Sequence, residues 1–168
     1  LNKLEIKGDE LDGILITHEH SDHIKGLGVF SRKYEIPIYA TPGTIAGIKE
    51  SSSLGKMPEG LLHPIKADHP FQLGELDVHP FAISHDANEP SGYRIEQDGK
   101  SVAVATDLGK YDDYTVENLK NLDAILLEAN HDIHMLEVGG YPYYLKQRIL
   151  GDRGHLSNEL SGQLLCDI

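Results

Sequence analysis

Residues 17–23 read Thr-His-Glu-His-Ser-Asp-His and follow the apolar run Gly13-Ile14-Leu15-Ile16. That run, within Leu11 to Thr17, has the length and character of a short buried strand. Asp22 stands where it can cap a helix reaching to about Tyr34. The histidines therefore occupy a strand-to-helix loop. Three imidazoles and two carboxylates this close, packed against a core, suffer desolvation and crowding, whereas a divalent cation converts the same arrangement into coordination. His18 and His20, two residues apart, can point to one side of an extended segment. Asp22 and His23, at the helix start, face a neighbouring position. The spacing suggests two adjacent ions, held between a strand end and a helix start.

The rest of the chain alternates in the same way. Ile36 to Ala40 reads as a second strand, and Pro42 to Glu50 as a helix with proline in its first turn. Ser51 to Gly60 is a Ser/Gly/Pro-rich loop. The pattern then changes to strands at Leu62 to Lys66, at Phe71 to Ser84 with a break at Gly74, and at Gly92 to Glu96 and Ser101 to Thr106. The last two are joined by Asp98-Gly99, a dipeptide that suits the positive φ angles of a tight hairpin turn. Tyr111 to Lys120 reads as a helix and Asp123 to Glu128 as an apolar strand. From His131 onward the pattern is helical, interrupted at Gly139-Gly140 and Gly151 to Gly154. No internal repeat or linker divides the 168 residues, so they are expected to form a single domain of sheets covered by helices.

Composition supports a globular chain and narrows its partners. Hydrophobic residues make up 39% and charged residues 25%, away from disordered classes. No apolar run approaches the roughly 20 residues that span a bilayer, so no membrane association is expected. Fifteen basic against 27 acidic residues give a formal charge of −12, so any contact with nucleic acid must be local rather than global. Ten histidines are the one pronounced excess and point to metal or acid/base chemistry. The single Cys166 cannot form an internal disulfide, and no charged-then-apolar leader opens the chain, so a cytoplasmic setting is expected.

His18-x-His20-x-Asp22-His23 after an apolar strand resembles the signature of the metallo-β-lactamase fold superfamily. The resemblance implies an α+β domain, an αββα four-layer sandwich of mixed sheets flanked by helices, with the present chain incomplete at both termini. It also implies further ligands arriving singly at strand ends, and His85, Asp107 and His155 follow in that order. His18, His20 and His85 would then hold one metal, and Asp22, His23 and His155 the other, with Asp107 bridging. Two divalent ions per chain, zinc, manganese or iron, are implied. The histidine at position 20, with Glu19 beside it, differs from the His-x-Glu-x-Asp of the diiron flavoproteins and favours hydrolysis. Residues 84–90 (Ser-His-Asp-Ala-Asn-Glu-Pro), 128–132 (Glu-Ala-Asn-His-Asp), 140–143 (Gly-Tyr-Pro-Tyr) and 154–158 (Gly-His-Leu-Ser-Asn) are similar to the YycJ (WalJ) branch. That branch implies a metal-dependent 5′ to 3′ DNA exonuclease linked to bacterial DNA repair, with DNA ends or single strands as substrate and no stable protein partner.

The implied reaction uses hydroxide formed between two ions that share Asp107, which also polarise a phosphoryl oxygen. Asp22, Asp107 and His131 are the catalytic candidates, His131 with Asp132 serving as proton donor or phosphate contact. His131 and His134 have a competing structural reading in a helix turn. Lys146, Arg148 and Arg153, interleaved with Tyr141, Tyr143 and Tyr144, suit a single strand threading to the site, Tyr143 included as a contact. The same stretch also reads as a helix with a packed tyrosine face and solvated cations. Ser157 is expected as a helix N-cap, Cys166 as a core residue, and His63, His69 and His79 as structural or exposed. A same-fold hydrolase of small esters, thioesters or lactones, and an inactive metal-binding fragment, are the competing readings, since fold alone does not choose a substrate.

Overall fold

Two sheets take shape from two kinds of strand pairing. The short strands β1 (Ile14–Leu15), β2 (Ile38–Ala40) and β3 (Leu62–Pro64) pair in parallel in the order β1-β2-β3. The other strands are β4 (Phe71–Leu73), β5 (Leu76–Ala82), β6 (Ser91–Gln97), β7 (Lys100–Ala105) and β8 (Ala124–Leu127), of which β5, β6 and β7 are the longest. The second sheet runs in that order, antiparallel except for the parallel β7-β8 pair. The computed structural model describes residues 5–168.

Helices cover the outer face of each sheet. On the first, α1 (Ser21–Ile24), α2 (Leu27–Tyr34) and α3 (Pro42–Glu50) bury Ile24, Leu27, Ile45 and Ile48 against Ile38 and Ala40. On the second, α4 (Asp113–Leu119) and α7 (Asn158–Asp167) bury Leu119 and Leu164 against Phe81, Ala103 and Ala105. Between them in sequence lie α5 (Ile133–Val138) and α6 (Tyr143–Leu150). The inner faces meet through Tyr39 stacked on Phe71, 5.3 Å between ring centroids, and through fully buried Val78 and Tyr93. Each fully buried ring or branched side chain contributes roughly 1.5–3 kcal/mol of transfer free energy. These four layers are the αββα sandwich that the resemblance implies. Among the described residues, no helix is long and apolar enough to cross a membrane.

The hairpin at Asp98-Gly99 forms as read, with φ of 50° and 72° at the two turn residues. Thr41 caps α3 ahead of Pro42, and Ser157 caps α7 by accepting the Leu160 N–H at 3.2 Å. Three expectations need correction. The strand placed over Leu11 to Thr17 is only two residues long. Its continuation bends away because the Thr17 carbonyl accepts the Ser91 N–H of the second sheet at 2.9 Å. The helix placed from Asp22 to Tyr34 is two helices, separated at Lys25 and Gly26, where glycine weakens the helix by about 1 kcal/mol. Cys166 is exposed rather than in the core, because Ser161 and Leu164 mark the buried side of α7.

The Tyr93 hydroxyl donates to the Ile16 carbonyl at 2.7 Å, two residues before His18. Gly92 stands opposite Phe81 across β5 and β6, and a Cβ there would overlap the Phe81 ring. Register and chain bend together deliver the ends of β1, β5, β7 and β8 to one edge of the sandwich.

Candidate metal centre

At that edge, donor atoms from four separate segments converge. His18, His20 and His85 form one group, His18, His23 and Asp107 a second, and His85, Asp107 and His155 a third. Within each group the donor atoms lie within 4.8 Å of one another. His20 Nδ1 and His85 Nε2 are 3.2 Å apart. Asp107 stands between the second and third groups, with Oδ2 at 3.3 Å from His23 Nε2 and Oδ1 at 3.5 Å from His155 Nδ1. Asp107 has φ of 58°, a left-handed conformation that aspartate tolerates better than most side chains and that concentrates at functional sites.

The two buried imidazoles are held from behind. His85 Nδ1 donates to the Gly154 carbonyl at 3.1 Å, which leaves Nε2 with its lone pair facing His20. His18 Nδ1 pairs with Thr17 Oγ1 at 3.1 Å, and its Nε2 is buried with no partner. A buried, unpartnered ring nitrogen is costly unless a further group binds it. An outer hydrogen bond on one ring nitrogen and a free inner one is the arrangement of metal-ligating histidines. Burial, followed by the neighbouring His23, pulls the His18 pKa down to about 4, and burial lowers that of His85. Both rings therefore stay neutral near pH 7, the form that can coordinate. This donor set of imidazole nitrogens and one shared carboxylate fits a divalent ion of the zinc, manganese or iron type.

Glu128, at the end of β8, was not singled out from sequence and organises the opposite side of the centre. Its Oε1 accepts His155 Nδ1–H at 2.6 Å, while Oε2 accepts the N–H groups of Leu108 at 2.8 Å and Leu156 at 3.2 Å. The Ser161 hydroxyl donates to the Glu128 carbonyl. The Glu128 hydrogen bond is the main cause of the raised His155 pKa. With Nδ1 committed to Glu128, only His155 Nε2 remains for an ion or a substrate proton. Asp86 was also missed. Its Oδ1 lies 3.4 Å from His85 Nε2 and 3.7 Å from His20 Nε2. A signal existed for both, since each carboxylate directly follows an apolar strand or a site histidine, as Asp107 does.

Other expected residues lie differently. Asp22 belongs to none of the donor groups. Its side chain is 76% exposed, and its approach to His23 Nε2 is 3.7 Å. His131 is outside the groups as well. Its Nδ1 pairs with Asn130 Oδ1 at 3.3 Å, its Nε2 is buried without a partner, and its backbone bridges to Ser157 beside His155. Burial lowers its pKa, with the charge of His155 acting in the same direction. Asp132 caps α5 by accepting the Met135 N–H at 2.7 Å, so it is not a free partner of His131. The cations expected to meet substrate are bonded within the chain. Lys146 Nζ donates to the Glu137 carbonyl at 2.7 Å, and Arg148 to both Asp86 oxygens at 2.5 and 3.2 Å. Arg153 donates to the carbonyls of His85 and Ala87 at 3.0 and 3.2 Å. Tyr141, Tyr143 and Tyr144 are exposed, against the reading of a packed tyrosine face.

The loop after His85 is fixed from the first sheet. Glu19 Oε1 accepts the Asn88 N–H at 2.8 Å, and Glu89 Oε2 accepts the Gly43 N–H at 2.7 Å. Glu19 thus braces the site from outside.

The family described as "Beta-lactamase superfamily domain" matches residues 2–168. The exodeoxyribonuclease WalJ of Streptococcus pneumoniae is 44% identical over 159 residues, 95% of this chain and 59% of that protein. The exodeoxyribonuclease YycJ of Bacillus anthracis is 38% identical over 164 residues, 98% of this chain and 61% of that protein. The chain thus spans about three fifths of the length of these relatives. The crystal structure of the metallo-β-lactamase fold protein YhfI from Bacillus subtilis superposes with a TM-score of 0.70 at 18% identity. It covers 95% of this chain and 62% of that one.

Proposed function

The chain belongs to the β-lactamase superfamily domain family, in its YycJ/WalJ-like branch, and from that premise we propose that it carries the catalytic centre of a metal-dependent phosphodiesterase releasing nucleotides from the 5′ ends of DNA. The observation that carries this reading is the set of three overlapping donor groups formed by His18, His20, His23, His85, Asp107 and His155, together with the unpartnered Nε2 of buried His18.

His18, His20 and His85 would hold one divalent ion, and His23, His155 and the exposed Asp22 the other, with Asp107 shared between them. Such ions, when bound, supply polarisation of a phosphoryl oxygen and water acidic enough to attack at neutral pH. The protein's own part is placement. The Gly154 carbonyl and Thr17 hydroxyl fix the buried rings, burial keeps them neutral, and Glu128 sets the tautomer of His155. His131, whose backbone bridges to Ser157, would give or hold a proton near the leaving oxygen. Local cations and bound ions, rather than the overall charge of −12, would attract the phosphate.

The test is metal content per chain after reconstitution, together with nucleotide release from 5′-phosphorylated double-stranded DNA in manganese. Two ions per chain and release that Asp107→Ala abolishes are expected, with metal loss in that variant. His131→Ala should slow release with metal content intact. Retained metal but lost release in His155→Ala would move that residue from ligand to proton donor. Two ions without release would transfer the reading to a small-ester hydrolase, and no bound metal would overturn it.

A further inference from the structure

The segment from Gly139 to Arg153 leaves large aromatic surface in water. Tyr141, Tyr143 and Tyr144 are 58%, 76% and 74% exposed, and α6 has no fully buried residue. A cluster of exposed rings of this kind marks a contact surface. The cations beside it are already placed. Lys146 and Arg153 donate to neutral carbonyls, which orients their charge without cancelling it. Asp152, the one acid of the segment, is paired with Lys110 at 2.8 Å. The segment is therefore a positive island on a chain of formal charge −12.

Arg148 has a different role. It spends its charge on Asp86, whose Oδ1 is 3.4 Å from His85 Nε2, and so fastens α6 to the candidate centre. Tyr144 lies four residues earlier on the same helix face, about one turn away. The helix that carries the aromatic surface is thus tied to the metal centre through Arg148 and Asp86. A ligand suited to it presents flat π faces linked by anions, which is the chemistry of single-stranded nucleic acid. A paired duplex keeps its base faces stacked on one another.

We propose that Tyr141, Tyr143 and Tyr144 are a stacking platform for the unpaired bases of a DNA strand entering the site, with Lys146 and Arg153 toward its phosphates. The inference rests on the nucleic-acid reading above. Arg148 is a positioning residue and does not contact the strand. With only two uncompensated cations, binding depends weakly on salt. Neutralising two phosphates of a single strand gives a log–log salt slope of about −1.4.

The experiment uses the full chain in chelator, where no bond is cut, and measures anisotropy of a labelled oligothymidylate against an abasic strand of equal length. The thymidine strand should bind at least about fivefold tighter, since stacking on even one ring is worth that much. Tyr143→Ala with Tyr144→Ala should erase this preference while the circular dichroism spectrum stays unchanged. The corresponding phenylalanine pair should keep it. Equal binding of both strands, a preference that survives the alanine pair, or no binding of either strand overturns the platform. Nucleotide release without base-dependent binding would retire the platform and leave the proposed reaction standing. Base-dependent binding without release would do the reverse.

Discussion

Replacing Glu128 by glutamine tests whether the far side of the centre is organised as described. Glutamine keeps one carbonyl oxygen, enough to accept the Leu108 and Leu156 N–H groups, and puts an amide NH2 where Oε1 accepted from His155 Nδ1. His155 must then present a lone pair on Nδ1 and carry its proton on Nε2, the only atom it has left for an ion. The lost bond is charge-assisted and nearly buried, so the expected destabilisation of the metal-free protein is about 2 kcal/mol. For a chain of this length that corresponds to a fall in Tm of roughly 4–8 °C. The difference should itself depend on pH. A raised His155 pKa contributes stability that is fully present below the unfolded value near 6.5 and is lost as pH rises through the folded value. The gap between parent and variant should therefore be widest in mild acid. Metal affinity, read by competition with a chromogenic chelator, should drop about 10- to 100-fold. Equal Tm values at pH 6 and pH 8, with unchanged metal affinity, would refute the role given to Glu128.

His18 has the opposite sign. Its folded pKa of about 4 lies below the unfolded value, so its contribution is complete above pH 6.5 and is lost as pH falls toward 4. The unfolding free energy of the metal-free protein, read by denaturant titration, should fall by roughly 2 kcal/mol between pH 7 and pH 5 through this one group, and a flat or rising value would contradict it. Gly92→Ala should cost about 1–3 kcal/mol by driving a methyl into the Phe81 ring. A thermal scan showing no loss would mean that the β5-β6 register opens room that the fold does not show.

The parts of this molecule legible in its sequence are those set by neighbours along the chain. The His18 to His23 spacing, the Asp98-Gly99 turn and the Ser157 cap are all local, and each lies where the residues place it. His85, Asp107 and His155 could be placed only through the resemblance, because nothing local distinguishes Asp107 from an ordinary turn aspartate. Glu128 escaped notice because its partners lie 20 to 28 residues away. The pairing of Arg148 is equally hidden, because Asp86 lies 62 residues away. The break at Gly26 was written in the sequence, yet the flanking apolar residues Ile24 and Leu27 conceal it by staying in helical phase, three apart on one buried side.

Tyr93 and Ser91 belong to the second sheet, yet their hydroxyl and N–H grip the Ile16 and Thr17 carbonyls of the first, immediately before His18. The first histidine of the cluster thus takes its position from the sheet that also supplies His85 and Asp107. Sliding one sheet over the other would break these grips before it could stretch the donor set. Relative drift of the layers is filtered out ahead of the site, which inherits the stiffness of a single body although its residues come from two.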